Sequence, residues 1–138
     1  MNLAEAASKF RAATGRAEAS MARECAAAGA RAFLPIERSK TPVLSGRLRE
    51  SEAVKAVTGS GTYAEAVVSP HRIYAHFRNF GGTITVRRAK VLGTPEVGFF
   101  GRSVTQAGSH YVERAHAAAI GPVQVAIKMR AETFFEGL

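Results

Sequence analysis

Aspartate is absent from the 138 residues, and all eleven acidic residues are glutamate. A Ser-His-Asp triad is thereby excluded, and a glutamate version would have to be assembled from unrelated positions without a nucleophile elbow. Cysteine occurs once, at Cys25, so no intramolecular disulfide can form and a cysteine-built zinc site is not expected. Cys25 reads instead as a small helix-packing residue. No uninterrupted apolar run approaches the length that a bilayer-spanning helix requires, since stretches such as "AHAAAIGPVQVAI" are alanine-rich and broken. The first twenty residues lack the basic-then-apolar order of a secretory signal, and their acids argue against a transit peptide. A soluble chain made in the cytoplasm, with no membrane partner, is expected. Its length suits a single domain, residues 1–138, that removes roughly two-thirds of the unfolded chain's surface from water.

Ligand motifs are equally sparse. The histidines stand at 71, 76, 110 and 116, spacings that do not place two ligands on one helical face, and no carboxylate completes a metal set. "GSGTYA" lacks both the third glycine of a dinucleotide fingerprint and the Lys-Ser or Lys-Thr of a phosphate loop, and reads as a hairpin loop. Glu50 and Glu52 resemble the solvated start of a strand rather than a catalytic pair. No enzyme activity, metal or cofactor is expected.

What is abundant is positive charge. Nineteen Lys and Arg residues give a net charge of +8, which favours an acidic partner, either nucleic acid or an acidic protein surface. The excess is spread along the chain and forms no basic tail. "RRAK" at 87–90 is the densest cluster after Arg47 and Arg49, but the stacking aromatics of single-strand readers lie elsewhere.

Periodicity divides the chain into three parts. Over residues 3–34, Leu3, Ala7, Phe10, Ala17, Met21, Cys25, Ala28 and Ala32 recur three or four apart or at multiples of that spacing, predicting a long amphipathic helix weakened locally by Gly15 and Gly29. Its alanine-rich stripe buries little area per contact, so a second surface such as another subunit is expected to cover it. Pro35 is expected to end or bend it. From Glu52 to Val104 the pattern shortens to β-prone runs: "EAVKAVTG" and "TYAEAVVS" as a hairpin around "GSG", "TITVRR", and a short strand near 97–104. "RIYAHFRNF" reads as one or two helical turns stopped by Gly81 and Gly82. After Gly108 helical spacing returns, with Tyr111 or Val112, Ala115, Ala119, Val123, Ile127 and Phe134 as buried candidates. Gly121-Pro122 is expected to kink or divide this helix. The predicted class is α+β: a long N-terminal helix, one small antiparallel β-sheet and a C-terminal helix.

Three segments then stand out. "TPVLSGRLRES" (41–51) resembles the "P-V-[DL]-[ST]-G-x-L-R-x-S" segment that follows the first helix in small tail-component proteins of long-tailed phages, the neck, head-tail joining or tail-completion proteins. It matches at Pro42, Val43, Ser45, Gly46, Leu48, Arg49 and Ser51. "YAHFRNFGG" (74–82) is similar to their second landmark, a Tyr-Ala pair followed by an aromatic-Gly turn. Asn79, Phe80, Gly81 and Gly82 stand where many lambdoid members have a Glu, nearer to the "Y-A-x-x-H-x-F-G-G" form of the virion-morphogenesis proteins of Mu-like phages. "TQAGSHYVERA" (105–115) is similar to the loop and start of their final helix.

The resemblance implies a non-enzymatic virion protein, made in the host cytoplasm and assembled as a ring, commonly of about six copies, at the head-tail junction or head-proximal tail end. Its expected partners are itself, neighbouring connector, terminator or tail-tube proteins, and non-specific contact with DNA in the lumen. A tail terminator of the same neck region is the alternative, followed by a free DNA-binding protein. Six spheres of the size of this chain would enclose a hole roughly 37 Å wide, enough for duplex DNA. The residues expected at subunit or partner interfaces are Arg47, Leu48, Arg49, Phe80, Arg87, Arg88 and Lys90. Pro42, Gly46, Gly81 and Gly82 are expected to shape turns.

Overall fold

The computed structural model describes residues 2–43, 46–72, 74–85, 92–94, 98–101, 103–133 and 135–136. Helix α1 (Leu3–Arg16) begins where the Asn2 side chain accepts a hydrogen bond from Glu5 N at 2.8 Å, which satisfies one of the amide donors that every helix start leaves over. A π-helical turn, Ala17–Met21, joins it without a break to α2 (Ala22–Lys40). Pro35 does not end this helix. The carbonyl it deprives of a donor belongs to Arg31, and both residues are exposed, so water can serve that carbonyl on the open face. The helix stops five residues later at extended Thr41, followed by Pro42.

Gly46, with φ of 81°, opens the short helix α3 (Arg47–Ser51). The hairpin β1 (Ala53–Ser60) and β2 (Tyr63–Ser69) follows, antiparallel around Gly61 and Thr62, with a bulge between Val54 and Ala56. Helix α4 (Ala75–Phe80) ends as expected at Gly81, whose amide donates to Phe77 O. Strand β3 (Gly81–Thr85) pairs antiparallel with β6 (Ser103–Ala107), and β4 (Leu92–Thr94) with β5 (Gly98–Gly101). Helix α5 (Tyr111–Thr133) completes the described elements. Gly121 and Pro122 are exposed within it and do not divide it.

The chain is therefore α+β, as its periodicity predicts, but the single sheet becomes three two-stranded ladders among the described residues. β3 takes its partner from β6, because α4 and the Gly81 turn lead the chain away from β2. No described helix is long and apolar enough to cross a membrane.

Helix α2 is the common support, with α5 on one side and the β1–β2 hairpin on another. The two helices run antiparallel: the Glu24 carboxylate pairs with Arg130, Cys25 Sγ lies 3.8 Å from Ile127 O, and the Arg114 guanidinium reaches Lys40 O at 3.5 Å. Gly29 sets their close approach, since a Cβ there would lie 3.1 Å from Ile127 Cδ1 and 3.3 Å from Val123 Cγ1. Cys25 packs in this seam, and its burial pushes the thiol pKa up. Tyr111, Ala115 and Ala119 are buried as expected, Val112 and Val123 are half-buried, Ile127 is exposed against expectation because part of its side chain faces an open groove, and Phe134 lies outside the described residues. Leu3 and Phe10, by contrast, are exposed, because the first part of the long helix extends past the elements that cover α2.

Candidate functional site

The three sequence landmarks meet in one place. Leu48 of the first, Ala75 of the second and Tyr111 of the third form a buried apolar cluster with Val112 packed against it. Leu48 thus turns inward, where its burial stabilises the fold by about 2 kcal/mol, and is not presented to a neighbour. Ser51, the last residue of the first landmark, donates to Leu48 O at 2.7 Å and accepts from His71 N at 3.2 Å, tying α3 to the segment before α4.

Asn79 joins the second landmark to the third. It is buried in α4, its Oδ1 accepts from Val112 N at 3.0 Å, and its Nδ2 donates to Glu113 Oε1 at 3.2 Å. A residue far away in sequence thereby caps the first turn of α5. The backbone reinforces the join: Ser109 N donates to Arg78 O at 3.0 Å and His110 N to Asn79 O at 2.9 Å. We expect Asn79→Ala to lower stability by about 2 kcal/mol, since it removes a cap and strands a buried amide donor. Thermal melting followed at the helix signal checks this, and an unchanged midpoint would count against the cap.

Beside this join lies a buried acid cluster. Glu37, at the inner face of α2, and Glu52, just before β1, are 1% and 0% exposed. Thr41 is buried between the two segments, its hydroxyl 2.8 Å from Glu37 O and donating to Glu52 Oε1. The neighbouring guanidiniums serve backbone carbonyls: Arg38 Nη2 donates to Glu52 O at 2.7 Å and Arg49 Nη2 to Thr41 O at 3.3 Å. Among the described residues, Glu37 Oε2 and Glu52 Oε2 have no hydrogen-bond partner. Burial, with Glu52 nearby, pushes the Glu37 pKa up to about 7. Burial also raises that of Glu52, against the Thr41 hydrogen bond and the charges of Arg38 and Arg49. The Tyr111 hydroxyl is pushed up to about 12 by burial and then by the two acids.

Glu50 is exposed as expected, but Glu52 is not the solvated strand start its sequence neighbourhood suggests. Glu37 carried a readable signal, because it continues the four-residue spacing of Cys25, Gly29 and Phe33 along the inner face of α2. A carboxylate on an apolar stripe is out of pattern. Nothing local distinguishes Glu52 from Glu50.

A groove of about 660 Å³ opens between β2 and α5, with α2 as its floor. Ala26, Ala30 and Phe33 line the floor, Ala66 and Val68 the strand side, and Val123 and Ile127 the helix side. Glu37 lies at the end of the floor nearest the acid cluster, and Glu65 stands on the strand side. Among the described residues β2 pairs only with β1, which leaves its other edge open there.

The remaining expected interface positions are dispersed. Arg47 is exposed on α3, and Arg49 is half-buried as described. Phe80 is 54% exposed, its ring 4.7 Å from that of His76 and 6.3 Å from that of His110 between centroids. All four histidines are exposed. Arg87, Arg88 and Lys90 lie outside the described residues, as do Leu44 and Ser45 of the first landmark. Among the described residues no cluster of three metal-ligating side chains occurs. Comparison with protein-family models, with curated proteins and with solved structures finds no match.

Proposed function

We propose that this chain is a non-enzymatic structural subunit of the head-tail junction of a long-tailed bacteriophage, assembled with copies of itself into a ring of about six around the DNA path. The observation that carries this reading is the convergence of the three landmark segments. Residues separated by more than sixty positions in sequence, Leu48 and Tyr111, share one core with Ala75, and Asn79 stitches the second landmark to the third. The resemblance thus falls on residues that cooperate in one unit of structure, while the groove and the long helix leave apolar surface for neighbouring subunits. A net charge of +8 suits a ring through which a polyanion passes.

Electron microscopy of assembled particles, with the chain tagged, tests the proposal. Density from this chain in a ring at the neck or the head-proximal tail end is expected, and particles complete without it would remove the reading.

The two arginines of the first landmark should separate assembly from folding. Arg47→Glu, on an exposed position, is expected to reduce particle yield while lowering the melting temperature less than the half-buried Arg49 change does. Arg49→Glu places a third carboxylate beside Glu37 and Glu52 and withdraws the donor to Thr41 O. A loss of about 3 kcal/mol of folding stability is expected. Equal melting temperatures for the two variants would contradict this division of labour.

A further inference from the structure

Among the described residues, the first helix and the groove are each an apolar surface without a cover. Residues 2–12 are exposed except for half-buried Ala6, and the main contact of α1 is with the π-helical turn that follows it. Leu3 and Phe10 are 87% and 61% exposed. They stand seven residues apart, about two helical turns, and therefore share a face. The chain cannot bring this face onto its own groove. Helical backbone continues from Leu3 to Lys40, and the groove floor runs from Ala26 toward Glu37, so α1 leads away from it.

Size and charge match the two surfaces. The floor from Ala26 to Glu37 is about 17 Å long, and α1 is about 21 Å. The groove's lining contains Glu37 and Glu65 and, among the described residues, no lysine or arginine, although the chain as a whole is strongly basic. Glu65 is exposed on the strand side, where an incoming cation can reach it. The arm, residues 2–16, carries Lys9, Arg11 and Arg16 against Glu5.

We propose that α1 of one copy docks in the groove between α2, β2 and α5 of the next, with Leu3 and Phe10 in the apolar trough and a basic residue flanking that face toward the exposed Glu65. The contact is heterologous, arm to groove, so it repeats from copy to copy and can close a ring. It deepens the ring reading above and rests on it for the presence of neighbouring copies.

Sedimentation of the full chain tests the contact with two variants. Phe10→Glu disables the arm and leaves the groove; Ala66→Arg obstructs the groove and leaves the arm. Each alone is expected to self-associate about 100-fold more weakly than the parent, the scale of burying one phenylalanine. An equimolar mixture should form a one-to-one complex that grows no further, since it holds one working arm and one working groove. Circular dichroism verifies folding, and the exposed Glu65→Lys change, expected to weaken association about tenfold, provides a groove variant that leaves the packing intact. Phe10→Glu associating as tightly as the parent overturns the proposal and assigns the groove to another cover, such as an extended segment on the open edge of β2. A mixture of folded variants that stays monomeric overturns it as well. Particles that keep their ring with Phe10→Glu overturn the arm contact and leave the neck reading standing. A one-to-one complex from a chain that never enters particles supports the contact and removes the neck reading.

Discussion

Gly81→Ala is expected to lower folding stability by about 4 kcal/mol, a substantial fraction of what a domain of this size has. Gly81 adopts φ of 77° with ψ of −171°, a conformation open to glycine but not to residues with a Cβ. The position is also crowded by backbone: a Cβ would lie 2.6 Å from Gln106 O and would collide with Gly108 N. Neither atom can move alone. Gln106 belongs to the β3–β6 ladder, and a Cβ on Gly108 would in turn lie 2.5 Å from Asn79 O. Relief would therefore disturb the hydrogen bonds that hold Ser109 and His110 to α4.

Gly61→Ala supplies the comparison. Gly61 also has positive φ, 63°, but nothing lies within 4 Å of its added Cβ, so a cost of only about 1 kcal/mol is expected. In urea denaturation the Gly81 midpoint should fall by roughly 2 M and the Gly61 midpoint by roughly 0.5 M. Equal losses would mean that backbone conformation alone, and not the packed turn, decides the cost.

Glu37→Gln should act in the opposite direction and depend on pH. The folded protein holds the Glu37 proton up to about pH 7, whereas the unfolded chain releases it near pH 4.5. Between these values the native state binds a proton that the unfolded state has lost, so stability falls as pH rises through the window and the full penalty stands above it. Burial is the main cause and the nearby Glu52 the second. Glutamine has nearly the same shape, carries no charge to desolvate, and supplies an amide donor near Glu52, whose Oε2 has no partner among the described residues. At pH 8 the variant is expected to be more stable by about 3 kcal/mol, a rise of about 10 °C in melting temperature. Below pH 4.5 the advantage should vanish. Melting curves from pH 4 to 8 check this, and a difference that stays constant with pH would show that the charge is not the source.

Much of the fold was legible because its signals are local. The three-to-four spacing of residues 3–34 marks the long helix, "GSG" between two β-prone runs marks the hairpin, and "FGG" marks the end of α4. Each depends on neighbours within a turn or a strand pair and needs no distant surface. The candidate surfaces were legible only in part. Alanine on the long helix suggested an uncovered face, but the stripe does not say that the cover over α2 comes from α5 and the hairpin while α1 is left bare.

What the sequence by itself determined is the α+β class, the presence of the long first helix, the β1–β2 hairpin and the last helix, a strong positive charge, and the order of three landmark segments. What only the tertiary structure decided is which of those residues share an environment. Pro35 and Pro122 remain inside helices because their lost hydrogen bonds fall on exposed faces. Glu52 is buried and Glu50 exposed because Thr41 and Arg38 approach from α2. Leu48, Ala75 and Tyr111 meet because Asn79 and the Gly81 turn hold α4 against the start of α5. Periodicity is a property of adjacent residues and survives in any context, whereas burial and charge pairing depend on surfaces brought together from far along the chain.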